Sequence, residues 1–184
     1  MDIFEIKDAL ESFRVLVDTR EHQTPQAARR IAAFGVPSER CTLSYGDYCA
    51  DIAVKDRQSI FADTDEKAVK AAIRPRCVVE RKQSLDELAM CFTRGRDRFR
   101  REFERAADSS AKVYLLVENG GWDGIAAHRY RSRFNPDAFR ASLISWMIRY
   151  DFSVVFCRAD LSGPLIKEIL YRDMKARLEG GEFG

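Results

Sequence analysis

Short apolar runs set apart by helix-length segments constrain this chain more than any other feature. Phe13-Arg-Val-Leu-Val-Asp18 and residues 77–81, 112–117 and 152–157 have strand length and a content of β-branched and aromatic residues suited to buried strands. The segments around them carry helix punctuation. Thr24 is placed to cap a helix that begins at Pro25 and stops near Gly35, because a short side chain can accept the free N–H groups of the first turn. Ser84-Leu-Asp-Glu87 has capping-box spacing and opens a helix through Phe92, and a second helix over 96–107 carries Phe99, Phe103 and Ala106 on one stripe. Residues 136–150 and 164–178 give two further helices, the last ended by Gly180-Gly181. Residues 40–44 and 48–54 read as two strands joined through Tyr45-Gly46-Asp47 as a hairpin, and a short helix is expected around 65–72. Strands alternating with helices predict an α/β fold whose central mixed sheet is flanked by helices, in one domain over residues 1–184 with its core about 13–178.

Composition then removes several classes of function. No apolar run approaches the roughly 20 residues that cross a bilayer, so no membrane partner is expected. The opening MDIFEIKDALESF lacks a secretory apolar core, so a cytoplasmic protein is expected, or a nuclear one in a eukaryote. Five cysteines without a C-x-x-C pair exclude a zinc framework and read as buried free thiols. With only two histidines, His22 and His128, catalysis by paired histidines is also excluded. Lys and Arg total 31 against 29 acids, and a net charge of +2 does not by itself indicate nucleic acid. The distribution is more telling, since residues 70–105 hold eleven Lys/Arg against six Asp/Glu.

That basic surplus surrounds Gly46-Asp47-Tyr48 and Val78-Val79-Glu80-Arg81-Lys82. Side chains two apart on a strand share a face, so Glu80 and Lys82 point together and Arg81 points away. Asp47, brought in by the neighbouring strand pair, can meet Glu80 at the sheet edge. Two carboxylates completed by water make a hard oxygen site suited to Mg²⁺ or Mn²⁺. An ion there would polarise a phosphate and activate water, while Lys82 holds the water or the developing charge. The same residues read structurally as a surface ion pair on an edge strand.

Val17-Asp18-Thr19-Arg20-Glu21, Gly46-Asp47-Tyr48 and Glu80-Arg81-Lys82-Gln83-Ser84-Leu85-Asp86 occur in this order, followed by Gly95-Arg96-Asp97-Arg98-Phe99. The set resembles the motifs V-D-x-R-E, G-D-Y/F, E-R-K-x-x-x-D and G-R-x-R-F of the XPF/Hef/Mus-type structure-specific endonucleases. The resemblance implies a restriction-endonuclease-like fold and a metal-dependent endonuclease acting on branched, flap or junction DNA. It makes Asp47 and Glu80 metal ligands with Asp18 close to the metal, Lys82 the catalytic lysine, and Glu21, Arg81 and Asp86 further active-site residues. It also implies a homodimer. The tandem helix-hairpin-helix domain of many relatives is absent from this sequence, so a separate DNA-binding partner is expected to replace it. The alternatives are a catalytically inert DNA-binding or scaffold module of the same fold, and a restriction- or recombination-type nuclease with another DNA substrate.

Two basic stretches are candidates for DNA contact. Arg94, Arg96 and Arg98 follow the motif closely and are assigned to phosphates, whereas Arg100 and Arg101 are balanced between phosphate contact and i,i+4 pairing along the helix. Arg129 and Arg131 form the second stretch, with Tyr130 between them as a base-stacking candidate, and a solvated loop explains the same residues. His22 reads as incidental to the site, Trp122 as cover for apolar surface, and Trp146, Met147 and Ile148 as core. The wide apolar face of the last helix, carrying Leu165, Ile166, Ile169, Leu170 and Met174, packs either on the sheet or on a partner.

Overall fold

The computed structural model describes residues 1–54, 57–61 and 72–183. Among these residues the order is α1 (Ile3–Glu11), β1 (Arg14–Asp18), α2 (Pro25–Ala32), β2 (Ser38–Cys41), β3 (Tyr48–Asp51), β4 (Cys77–Lys82), α3 (Leu85–Phe92), α4 (Arg96–Asp108), β5 (Lys112–Glu118), α5 (Trp122–Ala126), α6 (Pro136–Tyr150), β6 (Ser153–Cys157) and α7 (Ser162–Glu179). The strands form one mixed sheet in the order β2-β1-β3-β4-β5-β6. The expected helix around 65–72 lies almost wholly outside the described residues.

The period-two pleat sorts the core into two layers. Leu16, Cys49, Val78, Leu115 and Val117 face one side and pack with Leu88, Phe92, Phe99, Phe103, Leu143 and Trp146 of α3, α4 and α6. Val15, Val17, Tyr48, Val79 and Leu116 face the other side, against Ile166, Leu170, Met174 and Leu178 of α7. The i,i+4 spacing of those four residues is the stripe a helix needs to lie on a sheet, so that stripe of α7 is covered from within the chain, while Leu165 and Ile169 beside it are only half-buried.

The hairpin is a correction. β2 runs parallel to β1, with Leu16 beside Glu39, and β1 runs antiparallel to β3, with Leu16 opposite Cys49, so β1 separates the two strands expected to pair. Hydrophobic alternation marks a strand and its buried face but carries no information about its neighbour. The connection instead crosses the end of β1, where the Asp18 N–H donates to the Asp47 carbonyl at 2.8 Å and the Thr19 N–H to Cys41 at 2.9 Å.

Several local expectations hold with a twist. The Thr24 hydroxyl accepts the Ala27 N–H at 3.1 Å, as an N-cap should. Ser84 caps α3 through Glu87 N–H at 3.3 Å, but the Glu87 carboxylate reaches one residue further back, to the Gln83 N–H at 2.9 Å. Unanticipated α1 has a full capping box, with Asp2 accepting from Phe4 and Glu5 while Glu5 accepts from Asp2 N–H at 2.7 Å. Ile148, expected in the core with Trp146, is 79% exposed. It stands off the Phe139–Leu143–Trp146 stripe that faces the sheet. All five cysteines are free, with Cys49 and Cys77 buried and Cys41, Cys91 and Cys157 only half-buried.

Candidate active site

The pleat that divides the core also divides the motif. On β4, Glu80 and Lys82 face the α4 side and Arg81 faces the α2 and α7 side. Asp47 precedes β3, whose Tyr48 lies opposite Val79, and the Asp47 N–H donates to the Val79 carbonyl at 2.9 Å. Gly46 makes this approach possible. Its φ is +74°, and a Cβ there would lie 2.6 Å from Val78 Cβ, so a side chain would push the loop off β4. The acid thus reaches Glu80 at the carboxyl end of β4, an interior strand of the sheet, whereas the alternative reading of Glu80 and Lys82 as a surface ion pair places them on an edge strand.

Asp47, Glu80 and Lys82 line a cleft of about 620 Å³ together with Arg20, Arg98 and Glu102. Lys82 Nζ donates to Glu80 Oε1 at 2.5 Å, and its ammonium sits 5.2 Å from the centre of the Phe99 ring. Burial favours the neutral amine, yet the carboxylates of Glu80 and Asp47 outweigh it and hold Lys82 above its ordinary value. Burial and then the charge of Glu80 push Asp47 well above the usual carboxylate range, against Lys82 and the Arg81 N–H. Two carboxylates crowded with one ammonium make a donor set that a further cation would relieve. No preformed group of three or more His, Cys, Asp or Glu ligands exists among the described residues, so an ion held by Asp47 and Glu80 would draw its remaining ligands from water or phosphate.

Glu102, which the sequence reading did not single out, enters from α4 one turn beyond Arg98. Burial, followed by the Glu80 charge, raises its carboxyl above the ordinary value. Sequence spacing places it beside Arg98, but nothing in a helix marks which polar residue will overhang a cleft.

On the far face Arg81, Arg30, Glu118, Glu21 and Tyr48 form a closed network. Arg81 binds Glu118 through Nε at 2.8 Å and Nη2 at 2.6 Å, and Arg30 binds the same carboxylate at 3.0 Å. Arg30 also donates to Glu21 at 2.9 Å and to the Tyr48 hydroxyl at 3.1 Å, while that hydroxyl donates to Glu21 at 2.9 Å. Two arginines and two glutamates balance, which is how buried charge is tolerated. Glu21 and Arg81 therefore reach the cleft wall as members of an ion-pair network, and Arg30 and Glu118 are partners the motifs did not reveal.

The remaining candidates scatter. Asp18, expected beside the metal, is 1% exposed and has both oxygens engaged, by the Arg20 N–H and guanidinium and by the Leu43 N–H. Its position holds Arg20 at the cleft and pins the loop before Asp47. Asp86 lies outside the cleft lining and accepts the Arg131 N–H at 2.5 Å, which ties the 128–134 loop to the start of α3. Arg98 lines the cleft and Arg94 is exposed, whereas Arg96 lies 5.3 Å from the Trp146 ring and donates to the Phe92 carbonyl at 3.3 Å. Arg129 is paired with Asp123, and Arg131 is almost fully exposed. Tyr130 is buried against Phe139 with its hydroxyl on the Phe134 carbonyl, so it offers no face to a base. His22 lines the cleft, and Trp122 packs edge-on against Phe156, away from it.

A mixed sheet with acids and a lysine at the carboxyl end of a central strand defines a nuclease-type α/β fold. The ERCC4 domain matches residues 17–166, and this chain belongs to the ERCC4-domain family, the XPF-type nucleases. Its fold is similar to that of XPF from Aeropyrum pernix, with a TM-score of 0.58 at 20% identity over 92% of this chain and 69% of that one. A second structure of that protein, in complex with DNA, gives a TM-score of 0.57 at 22% identity over 89% of this chain and 65% of the other. No curated protein sequence matches the chain. Among the described residues no helix is long and apolar enough to cross a membrane.

Proposed function

We propose that the chain is a metal-dependent DNA endonuclease that hydrolyses phosphodiester bonds, with a preference for branched, flapped or junction DNA. The observation that carries this reading is the convergence of Asp47, Glu80 and Lys82 on one face at the end of β4, inside a cleft edged by Arg20 and Arg98. Asp47 and Glu80 would hold Mg²⁺ or Mn²⁺, which supplies Lewis-acid polarisation of the phosphate and activation of water. Lys82 remains an ammonium, because the carboxylates raise it, so it stabilises developing negative charge and does not serve as a base. Arg20, fixed by Asp18, and Arg98 present positive charge at the cleft where a phosphate must enter. The relative's complex with DNA supports DNA as the polymer bound.

The test is a panel of linear, flap, fork and four-way-junction DNA incubated with Mg²⁺, Mn²⁺, Ca²⁺ or EDTA. Cleavage of branched substrates with Mg²⁺ or Mn²⁺, and binding without comparable cleavage in Ca²⁺, is expected. Undiminished cutting in EDTA refutes metal dependence, and binding without cutting under every ion assigns the chain to the inert module of this fold.

A further inference from the structure

The charges on α4 divide into two faces that sequence order conceals. Helical geometry advances 100° per residue, so Arg98, Arg101 and Arg105, spaced by three and four, form one stripe, beside the cleft residue Glu102. Arg100 lies on the opposite side, near both Asp97 and Glu104 at 3.6 Å. Arg101 makes no ion pair among the described residues, and all three stripe arginines are exposed. The stripe starts at the cleft, since Arg98 lines it, and ends on α4 where Asp108 occupies the next turn.

At that end the backbone turns the stripe toward a second element. Arg105 Nε donates to the Ser44 carbonyl at 3.0 Å, and the Ser44 N–H donates to the Ile73 carbonyl at 2.8 Å. The Ile73 N–H bonds to Thr42 at 2.9 Å, and the Tyr45 hydroxyl bonds to Pro75 at 2.8 Å. Arg74, which is exposed, follows Ile73 directly, so its backbone lies next to the segment that receives Arg105. From Arg98 to Arg105 the helix rises by about 10 Å at roughly 1.5 Å per residue, which spans about three phosphate spacings at about 3.4 Å of axis per strand charge.

We infer that Arg98, Arg101, Arg105 and Arg74 form a track for the phosphates of a duplex arm leading away from the cleft. The inference rests on the nuclease reading above and adds the path of the polymer. It departs from sequence order, which favoured Arg96 over Arg101. Arg96 lies off the Arg98–Arg101–Arg105 stripe, with its guanidinium 5.3 Å from the Trp146 ring, whereas Arg101 lies on the stripe and makes no ion pair among the described residues. Such contacts position the duplex without reading its sequence, and each phosphate neutralised releases counterions.

The experiment measures binding of a fluorescent DNA duplex by anisotropy across a NaCl series, with Ca²⁺ present and the full chain. Arg101→Ala/Arg105→Ala should lower the log–log salt slope by about 1.8, at about 0.9 per phosphate contact, while leaving Mg²⁺-dependent cleavage at saturating DNA largely intact. Arg101→Ala/Arg74→Ala, which removes no hydrogen bond of the described structure, should produce the same loss. Arg100→Ala/Arg172→Ala removes the same charge from two residues paired within their own helices and should leave the slope near wild type. An unchanged slope in both track variants, with wild-type cleavage present, overturns the track alone. Equal losses in the control pair overturn it too, by reducing the effect to net charge. A wild-type chain that neither binds the duplex in a salt-dependent way nor cuts overturns the nuclease reading with it.

Discussion

The backbone N–H of Arg81 donates to Asp47 Oδ2 at 2.7 Å, so the acid from the loop before β3 is fastened to the strand that carries Glu80 and Lys82. One residue of β4 thus works in two directions. Its N–H orients a carboxylate of the cleft, and its guanidinium is locked by Glu118 on the other face of the sheet. The cleft is built across the sheet, with its reactive groups above the pleat and their ionic support below.

The burial of the Asp47 carboxylate, and then its crowding against Glu80, costs stability when no cation is bound. A carboxyl raised in the folded chain binds its proton more tightly there than when unfolded. Stability therefore declines as pH rises from the ordinary carboxylate range through the raised folded value, and the full cost is present above it. Asp47→Asn keeps an oxygen for the Arg81 N–H and removes the charge. In EDTA at neutral pH its melting temperature is expected to exceed wild type, by about 2–4 °C for each kcal/mol relieved. A lower melting temperature under those conditions would contradict the cost assigned to the buried, crowded charge.

Lys82→Met removes the ammonium and keeps much of the side-chain volume beside Phe99. If Lys82 stabilises charge that develops during cleavage, kcat should fall by about 10²–10³ with DNA affinity little changed. Because the lysine is raised, wild-type activity should not decline as pH passes the upper neutral range on account of this group. Single-turnover kinetics over pH 6–9.5 measure both effects.

Glu118 is 3% exposed and serves Arg30 and Arg81 together. Glu118→Ala leaves two guanidiniums sharing Glu21 in the interior, and breaking a buried pair in this way costs about 3–5 kcal/mol. Urea unfolding should show the midpoint fall accordingly. A change under about 1 kcal/mol would mean that the network contributes little.

The faces of α6 separate cleanly. Leu143→Ala deletes a fully buried side chain and should cost about 2–5 kcal/mol, whereas Ile148→Ala should stay within about 0.5 kcal/mol. Urea midpoints for the two variants check the assignment.

Most strand and helix positions were legible because burial imposes periods of two and 3.6 that hydrophobic residues record directly, whereas α1 and the short α5 were missed and β2 begins two residues earlier than expected. The pairing of Glu80 with Lys82 followed from the same pleat, and the two do meet at 2.5 Å. Strand order was not legible, since Ser38–Cys41 carries the same pattern whether β1 or β3 is its neighbour. Partnerships across long sequence distances were equally hidden, as Arg30 and Glu118 are 88 residues apart and neither lies in a motif. The arginine-rich helix start misled for a related reason. Arg96 and Arg98 differ by two positions, which on a helix places one against Trp146 and the other in the cleft.

Whether Asp47 and Glu80 together hold an ion that cuts DNA is decided by single-turnover cleavage of a forked DNA with Asp47→Asn and Glu80→Gln. Mg²⁺ or Mn²⁺ is varied in the cleavage assay, and binding is measured in parallel with Ca²⁺. Both substitutions keep side-chain shape and remove a ligand charge. Cleavage at background is expected in each variant at metal concentrations that saturate wild type, with the melting transition retained and DNA binding largely preserved. Wild-type cleavage rates in either variant at the same metal concentration would contradict that role for the pair.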